Sequence, residues 1–166
     1  ILKAAGITQE AQHHVKKVVC EMGGKNAIIV DTSADHDEAV LGVRMSAFGF
    51  QGQKCSACSR VIVVDPEGPD GPAITHFTRR IVEATKALSI NDPVQSGTDI
   101  GPVIDADAKR KIESYIELGR KEATHELSLP VPPGLEQATG RDFVGPAIFS
   151  HVPPAARIAT EEIFGP

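Results

Sequence analysis

Two short apolar runs constrain the fold of this chain more than any other feature of its sequence. The first run is AIIV at residues 27–30, and the second is VIVV at residues 61–64. Short runs rich in β-branched residues predict buried strands. Between them, Asp35 and Glu38 resemble a capping pair that opens a helix continuing through residues 39–48. The order strand, helix, strand predicts parallel pairing with a right-handed crossover.

The remainder of the sequence continues the alternation of strands and helices. Residues 73–88 carry apolar side chains at three- and four-residue steps, which is typical of an amphipathic helix. The pattern of the remaining residues predicts a second helix at 105–123, a last extended segment at 143–149 and a loosely helical stretch at 9–19. The alternation predicts an α/β fold built on a mainly parallel sheet. In such sheets, functional sites gather at the carboxyl ends of the strands.

Length and charge exclude several classes of protein. A chain of 166 residues suffices for one domain with its own core and is too short for two ordinary domains. The net charge is −5 and basic residues do not cluster, so the sequence does not predict nucleic-acid binding. No apolar run approaches the roughly 20 residues that span a bilayer, and no signal peptide is recognisable. We therefore expect the cytosol or an organelle matrix.

The cysteines present a choice between several chemistries. The chain has three of them, an odd and low number that favours reduced thiols. Cys55 and Cys58 have the spacing of a zinc or thioredoxin-like pair, but zinc needs four ligands. A redox pair needs its first thiol at a helix N-terminus, whereas Cys58 leads into a strand. The alternatives are one reactive thiol, Cys55, with Cys58 and Cys20 as buried packing residues, or three thiols that only pack.

Glutamates stand out at two positions. Glu21 precedes two glycines, Gly23 and Gly24, which allow backbone or ligand to approach closely. A carboxylate there can act as a general base, although most glutamates are solvated surface residues. Glu161 and Glu162 are further candidates. They fit a structural role equally well, as a pair of charges in the first turn of a helix, where the helix dipole favours carboxylates.

Taken together, three stretches resemble, in order, the signatures of the aldehyde dehydrogenase superfamily. They are EMGGK at residues 21–25, GQKC at residues 52–55 followed by Ser59 and Arg60, and EEIFGP at residues 161–166. The cysteine segment, GFQGQKCSACSR, is most similar to the Δ1-pyrroline-5-carboxylate (glutamate semialdehyde) dehydrogenases, with Phe48 where a tyrosine is expected. The stretches SYIE and VPPAARI, which begin at Ser114 and Val152, point the same way.

This resemblance implies a role for each candidate residue. Cys55 is expected to be the nucleophile that forms a thiohemiacetal and then a thioester, and Glu21 the base that activates water. Glu162 is expected to bind the nicotinamide ribose, with Phe164 against the nicotinamide and Gly23 among the cofactor contacts. Ser56 is expected to hold the substrate carboxylate. The implied cofactor is NAD, with NADP as the alternative, and no metal is expected.

The resemblance also implies the context of the chain. We expect residues 1–166 to be a single catalytic-domain fragment of a three-layer, parallel-sheet fold, truncated at both ends and inactive alone. The parent is expected to oxidise L-glutamate γ-semialdehyde to glutamate with NAD in proline catabolism. It is further expected to be a cytoplasmic or, in a eukaryote, mitochondrial-matrix homo-oligomer, fused to or partnered with proline dehydrogenase. The alternatives are another aldehyde substrate, or a non-catalytic redox or metal module that uses Cys55 and Cys58.

Overall fold

The computed structural model describes residues 1–166, and its strands form two separate two-stranded sheets. The strands are β1 (Asn26–Val30), β2 (Cys58–Val63), β3 (Thr124–Ser128) and β4 (Ala147–Ser150). The helices are α1 (Leu2–Ala5), α2 (His36–Phe48), α3 (Pro72–Lys86), α4 (Ala106–Glu122), α5 (Leu135–Thr139) and α6 (Arg157–Thr160). This mixture of strands and helices confirms the α/β class. None of the helices combines the length and apolar character needed to cross a bilayer.

The first sheet has the predicted strand–helix–strand arrangement. Strands β1 and β2 run parallel, with Ile28 opposite Val61 and Val30 opposite Val63. Helix α2 connects them and begins at the predicted cap, since the Asp35 carboxylate accepts hydrogen bonds from the backbone N–H groups of Asp37 and Glu38. The amino ends of both strands therefore lie at the same edge of the sheet.

Only one face of this sheet is covered. Helices α2 and α3 pack on it around a core formed by Val30, Val40, Val43, Phe77 and Ile81. On the opposite face, Ile29 is 68% exposed and Ile62 is 48% exposed. The prediction that both strands are buried thus holds for one face alone, because the chain supplies no helix to the other.

The second sheet differs from the mainly parallel arrangement that the sequence predicted. Strand β3 follows α4 directly and pairs antiparallel with β4, with Thr124 opposite Ser150. The connection from β3 to β4 contains only the five-residue helix α5 and no long crossover helix, so the chain turns back and the two strands pair antiparallel. The sequence analysis did not predict β3 or α5. The last extended segment was predicted at residues 143–149, whereas β4 is Ala147–Ser150 and Phe143 is instead a fully buried core residue.

Residues 9–19 form no helix, so the prediction of a helical stretch there was wrong. The apolar side chains in this stretch have nothing to pack against, and Val15 is 88% exposed and Val19 82% exposed. A short helix without a buried face is marginal in water. The neighbouring Cys20 is exposed for the same reason, and the prediction that it is a buried packing residue was also wrong.

Candidate active site

The segment that carries Cys55 leaves helix α2 through an unusual turn. Phe50, Gln51 and Gly52 have consecutive positive φ angles of 54°, 56° and 64°. Such a left-handed conformation is uncommon for residues other than glycine and often marks a functional turn. The turn brings Cys55 to a position just before the amino end of β2.

An asparagine side chain fixes this segment in place. The Nδ2 group of Asn26 donates to the backbone oxygen of Cys55 at 2.6 Å and to that of Ala57 at 3.1 Å. Asn26 is the first residue of β1, so the start of one strand holds the loop that leads into the other. The candidate site therefore lies at the amino edge of the parallel pair, and the expectation of a site at the carboxyl ends was wrong. The loop precedes β2, so strand direction places it at this edge, and the Asn26 hydrogen bonds fix its position there.

The two cysteines of the segment have different environments. The side chain of Cys55 is exposed, whereas Cys58 is only 5% exposed. Burial raises the pKa of the Cys58 thiol, and the thiol donates a hydrogen bond to the backbone oxygen of Arg60 at 3.2 Å. The prediction that Cys58 is a buried packing residue is confirmed. No cluster of three or more His, Cys, Asp or Glu side chains is arranged to hold a metal.

The two-glycine segment contacts the segment near the end of the chain. The backbone N–H of Gly24 donates to Oε1 of Glu162 at 3.0 Å. A Cβ atom at Gly23 would lie 2.7 Å from Oε2 of the same carboxylate, so Gly23 has no room for a side chain. The structure thus brings together two of the three stretches that the sequence analysis singled out.

The third stretch, around Cys55, contacts the same terminal segment. A Cβ atom at Gly52 would overlap the backbone oxygen of Gly165, so these two backbones touch directly. A Cβ atom at Gly165 would lie 2.5 Å from Cγ1 of Ile112, a buried residue of α4. The terminal segment is therefore packed between helix α4 and the turn that precedes Cys55.

The two adjacent glutamates of the terminal segment have different partners. Tyr115 donates its hydroxyl to Glu161 at 2.6 Å, and the Arg157 guanidinium donates two bonds to the same carboxylate, each at 2.9 Å. These bonds, first from Arg157 and then from Tyr115, lower the pKa of Glu161 to about 2. Both glutamates follow helix α6, which ends at Thr160, so the interpretation as a first-turn charge pair was wrong.

A cavity of about 660 Å³ opens between these segments. Cys55, Glu162 and Phe164 line it, together with mostly apolar side chains from both sheets. Glu21, Gly23 and Ser56 do not line it, and Glu21 and Ser56 are exposed. The candidate nucleophile and the two candidate cofactor-binding side chains thus share one cavity, while the candidate base and the candidate substrate residue lie outside its lining.

Sequence reasoning missed the residues that position the site. The sequence analysis assigned no role to Asn26, although its side chain holds the cysteine loop. Tyr115 and Arg157 had been noted as part of a family resemblance, without a role. The partners of Asn26 and Tyr115 lie 29 and 46 positions away in the sequence, so no local spacing could have identified those contacts. Arg157 and Glu161, in contrast, have the i, i+4 spacing of a local ion pair, which was a usable signal.

Positive charge accumulates on one side of the site. Arg60 donates to the backbone oxygen of Lys25 at 2.6 Å. Burial, followed by the nearby charges of Arg60 and Lys111, lowers the pKa of Lys25 to about 8, against an opposing effect of Glu162. A lysine in such a setting loses its proton more easily in the folded chain than in the unfolded one.

This shift predicts a pH dependence of stability. Between pH 8 and the usual lysine pKa of 10.5, the unfolded chain holds a proton at Lys25 that the folded chain has released. The free energy of unfolding should therefore rise with pH across this window. The part that comes from Lys25 is on the order of 1 kcal/mol after allowance for its partial exposure. Urea unfolding at pH 7.5 to 9.5, compared between the wild type and Lys25→Met, measures the effect. The control is Lys16→Met, and parallel pH profiles for the wild type and Lys25→Met would contradict the prediction.

Comparisons with known proteins agree on one family. The sequence profile of the aldehyde dehydrogenase family matches residues 4–166. A 1-pyrroline-5-carboxylate dehydrogenase of Geobacillus thermodenitrificans (strain NG80-2) is 43% identical over 166 residues, which is 100% of this chain and 30% of that protein. The chain thus spans under a third of the length of the curated relatives it matches.

Solved structures agree with this assignment. The structure of 1-pyrroline-5-carboxylate dehydrogenase from Thermus with bound NAD superposes with a TM-score of 0.79 at 42% identity, covering 99% of this chain and 30% of that one. Proline utilization A (PutA) from Bdellovibrio bacteriovorus, inactivated by N-propargylglycine, gives a TM-score of 0.85 at 42% identity, covering 99% of this chain and 16% of that one. The predicted fold class, the aldehyde dehydrogenase fold, is thereby confirmed.

Proposed function

Because the chain belongs to the aldehyde dehydrogenase family, we propose that it forms the catalytic segment of a longer enzyme that oxidises an aldehyde with NAD. The observation that carries this proposal is the convergence of Cys55, Glu162 and Phe164 on one cavity. Residues 1–166 would be a single catalytic-domain segment of that full-length enzyme. The chain spans only 30% of the length of its relative from Geobacillus thermodenitrificans, which supports this view.

The exposed thiol of Cys55 is suited to attack an aldehyde. Its thiolate adds to the carbonyl carbon, a carbon–sulfur bond forms, and the carbonyl oxygen takes up the negative charge. The backbone N–H of Cys55 would stabilise this oxyanion. NAD, when bound, supplies the hydride acceptor that turns the thiohemiacetal into a thioester.

The nicotinamide end of the cofactor fits the residues around the cavity. Glu162 offers a carboxylate that can accept hydrogen bonds from ribose hydroxyls, and Phe164 offers an apolar ring, 39% exposed, on the cavity wall. Gly23 lacks the side chain that would otherwise crowd the Glu162 carboxylate. These residues would hold and orient the nicotinamide ribose, while the remaining cofactor contacts would come from the rest of the enzyme.

Release of the product requires a base, and Glu21 is the proposed one. Its carboxylate would take a proton from water as the water oxygen attacks the thioester carbon and the Cys55 sulfur leaves as a thiolate. In this chain Glu21 is exposed and makes no hydrogen bond or ion pair, so the carboxylate is available for a water molecule. Because Glu21 does not line the cavity, we propose that the 166-residue chain has little or no dehydrogenase activity alone.

The names of the relatives support a particular substrate. We propose L-glutamate γ-semialdehyde, which would be oxidised to glutamate in proline catabolism, with Ser56 beside the nucleophile as a donor to the substrate carboxylate. The similarity to proline utilization A supports an association with proline dehydrogenase, by fusion or as a partner. The enzyme would be a homo-oligomer of the cytoplasm, or of the mitochondrial matrix in a eukaryote. Another aldehyde is the alternative substrate.

The test is oxidation of a panel of aldehydes by the full-length enzyme, followed through NADH formation. We expect the highest kcat/KM for glutamate semialdehyde, a lower value for the shorter succinate semialdehyde, and the lowest for propanal, which lacks a carboxylate. A higher value for propanal would overturn the proposed substrate, and NADH formation with none of the aldehydes would overturn the proposed activity. Turnover by the isolated 166-residue chain at the full-length rate would contradict its proposed inactivity.

A further inference from the structure

The segment that carries Glu21 has few attachments of its own. Residues 21–25 belong to no helix or strand, and no backbone-to-backbone hydrogen bond of a turn, loop or cap involves them. Two bonds from distant residues hold the segment instead. One runs from the Gly24 N–H to Glu162, and the other runs from Arg60 to the backbone oxygen of Lys25. The location of Glu21 therefore depends on side chains that lie elsewhere in the sequence.

Of these two bonds, the one to Glu162 lies nearer to Glu21 in the chain. It joins backbone and carboxylate at 3.0 Å across 138 positions of sequence. A Cβ atom at Gly23 would meet this carboxylate, so the glutamate rests directly on the backbone just after Glu21. On its other side this backbone approaches the Cys55 loop, because a Cβ atom at Gly24 would lie 3.8 Å from the backbone oxygen of Cys55. A hydrogen bond from a backbone N–H to a charged carboxylate is among the stronger kinds in proteins.

Glu162 is itself firmly anchored. Its neighbour Glu161 is bonded to Tyr115 of helix α4 and to Arg157 of helix α6. The backbone that presents Glu162 is therefore attached to two helices, whereas the backbone that presents Glu21 is attached to none. Of the two segments, the one with Glu162 is the fixed reference and the one with Glu21 is the part that is held.

We propose that Glu162 is a positioning residue for Glu21, because through the Gly24 N–H it holds the segment of Glu21 beside the Cys55 loop. The inference rests on the proposed function, because it assigns Glu162 a second task in the same reaction. A carboxylate has two oxygens with about four acceptor sites. Oε1 accepts from Gly24, and Oε2 remains for a hydroxyl of the nicotinamide ribose, so one side chain can serve both the base segment and the cofactor.

Hydrolysis of an activated ester without cofactor separates the two tasks. With p-nitrophenyl acetate, the Cys55 thiolate attacks the ester carbon and p-nitrophenolate leaves, which gives an acetyl thioester. Water then attacks the thioester while Glu21 takes the proton, and acetate and free thiolate result. No hydride moves and no ribose is present. Any effect of Glu162 on this second step must therefore pass through the protein.

The experiment compares Glu162 variants of the full-length enzyme in this assay. In Glu162→Ala we expect the burst of p-nitrophenolate to persist and the hydrolysis of the acyl-enzyme to slow about tenfold, the effect of one lost hydrogen bond to a charged group. Glu162→Gln, whose amide oxygen can still accept from Gly24, should restore most of that rate. Glu162→Asp keeps the charge but is one methylene shorter, so it should be as slow as the alanine variant. The control is the exposed Glu67→Ala.

Two results would overturn the inference. The first is hydrolysis of the acyl-enzyme at the wild-type rate in Glu162→Ala. The second is a glutamine variant as slow as alanine together with a fast aspartate variant, because charge and not the bond to Gly24 would then matter. Urea unfolding of each variant identifies any loss that reflects misfolding.

Hydrogen exchange gives a second readout that does not need catalysis. The amide of Gly24 should exchange about tenfold faster in Glu162→Ala than in the wild type, and Glu162→Gln should restore its protection. Unchanged exchange would overturn the inference. If the wild-type enzyme forms no acyl-enzyme at Cys55, the proposed function fails, and the exchange of Gly24 still decides whether Glu162 holds this segment.

Discussion

Replacement of Cys55 by alanine in the full-length enzyme is expected to lower kcat/KM for aldehyde oxidation by roughly ten-thousand-fold or more, as the removal of a covalent nucleophile does in other enzymes. The exposed thiol lines the cavity that Glu162 and Phe164 also line. No other cysteine lies where it can take over, since Cys58 is buried and Cys20 lies outside the cavity. The measurement is NADH formation with glutamate semialdehyde under saturating NAD.

Cys58→Ala is the matched control for this prediction. It removes a thiol three residues away that is bonded to the backbone oxygen of Arg60 and does not face solvent. We expect a modest loss of stability, because a small buried group is removed, and turnover within a few-fold of the wild type. Inactivation by Cys58→Ala in a variant that still folds, or appreciable turnover by Cys55→Ala, would contradict the assignment of the nucleophile. A redox pair would require both thiols equally.

The elements that the sequence predicted correctly depend on short-range patterns. Helix α2 begins immediately after its cap, Asp35, and this carboxylate cap is recognisable from the neighbouring sequence alone. Strands β1 and β2 follow from two apolar runs, and their parallel pairing follows from the helix between them. Strand β3 was missed because its sequence, THELS, is polar and has no apolar alternation. It becomes a strand only through its partner β4, which lies beyond a long connection.

The candidate site was predictable in composition but not in arrangement. The resemblance of three stretches to one family named Cys55, Glu21 and Glu162 without any knowledge of the fold. The contacts that assemble these stretches, such as Asn26 with the Cys55 backbone, join residues that are far apart in the sequence. The location of the site, in contrast, follows from the order of the chain. Glu21 and Cys55 precede the two predicted strands at residues 27–30 and 61–64, which places them at the amino edge rather than at the carboxyl ends, where parallel strands usually present functional loops.

The second large effect is expected at Gly52, where the cysteine turn touches the terminal segment. Gly52 has a φ of 64°, and a Cβ atom there would overlap the backbone oxygen of Gly165. In Gly52→Ala, the left-handed conformation costs about 1–2 kcal/mol, and relief of the overlap costs about 1–3 kcal/mol more because backbone must move. We expect a total loss of about 3 kcal/mol in the free energy of unfolding, measured by urea denaturation.

Gly140→Ala is the matched control, which separates the cost of the close contact at Gly52 from the cost of a left-handed backbone conformation. Gly140 has nearly the same φ, 65°, but a Cβ atom there would have no neighbour within 4 Å. Gly140→Ala should therefore cost only about 1 kcal/mol and leave kcat/KM unchanged. Gly52→Ala should also lower kcat/KM, because displacement of Gly165 moves Phe164 and Glu162 relative to Cys55. Equal losses of stability at the two glycines would mean that contact between the segments contributes nothing. Loss of activity at Gly52 without loss at Gly140 would support a site assembled by that contact.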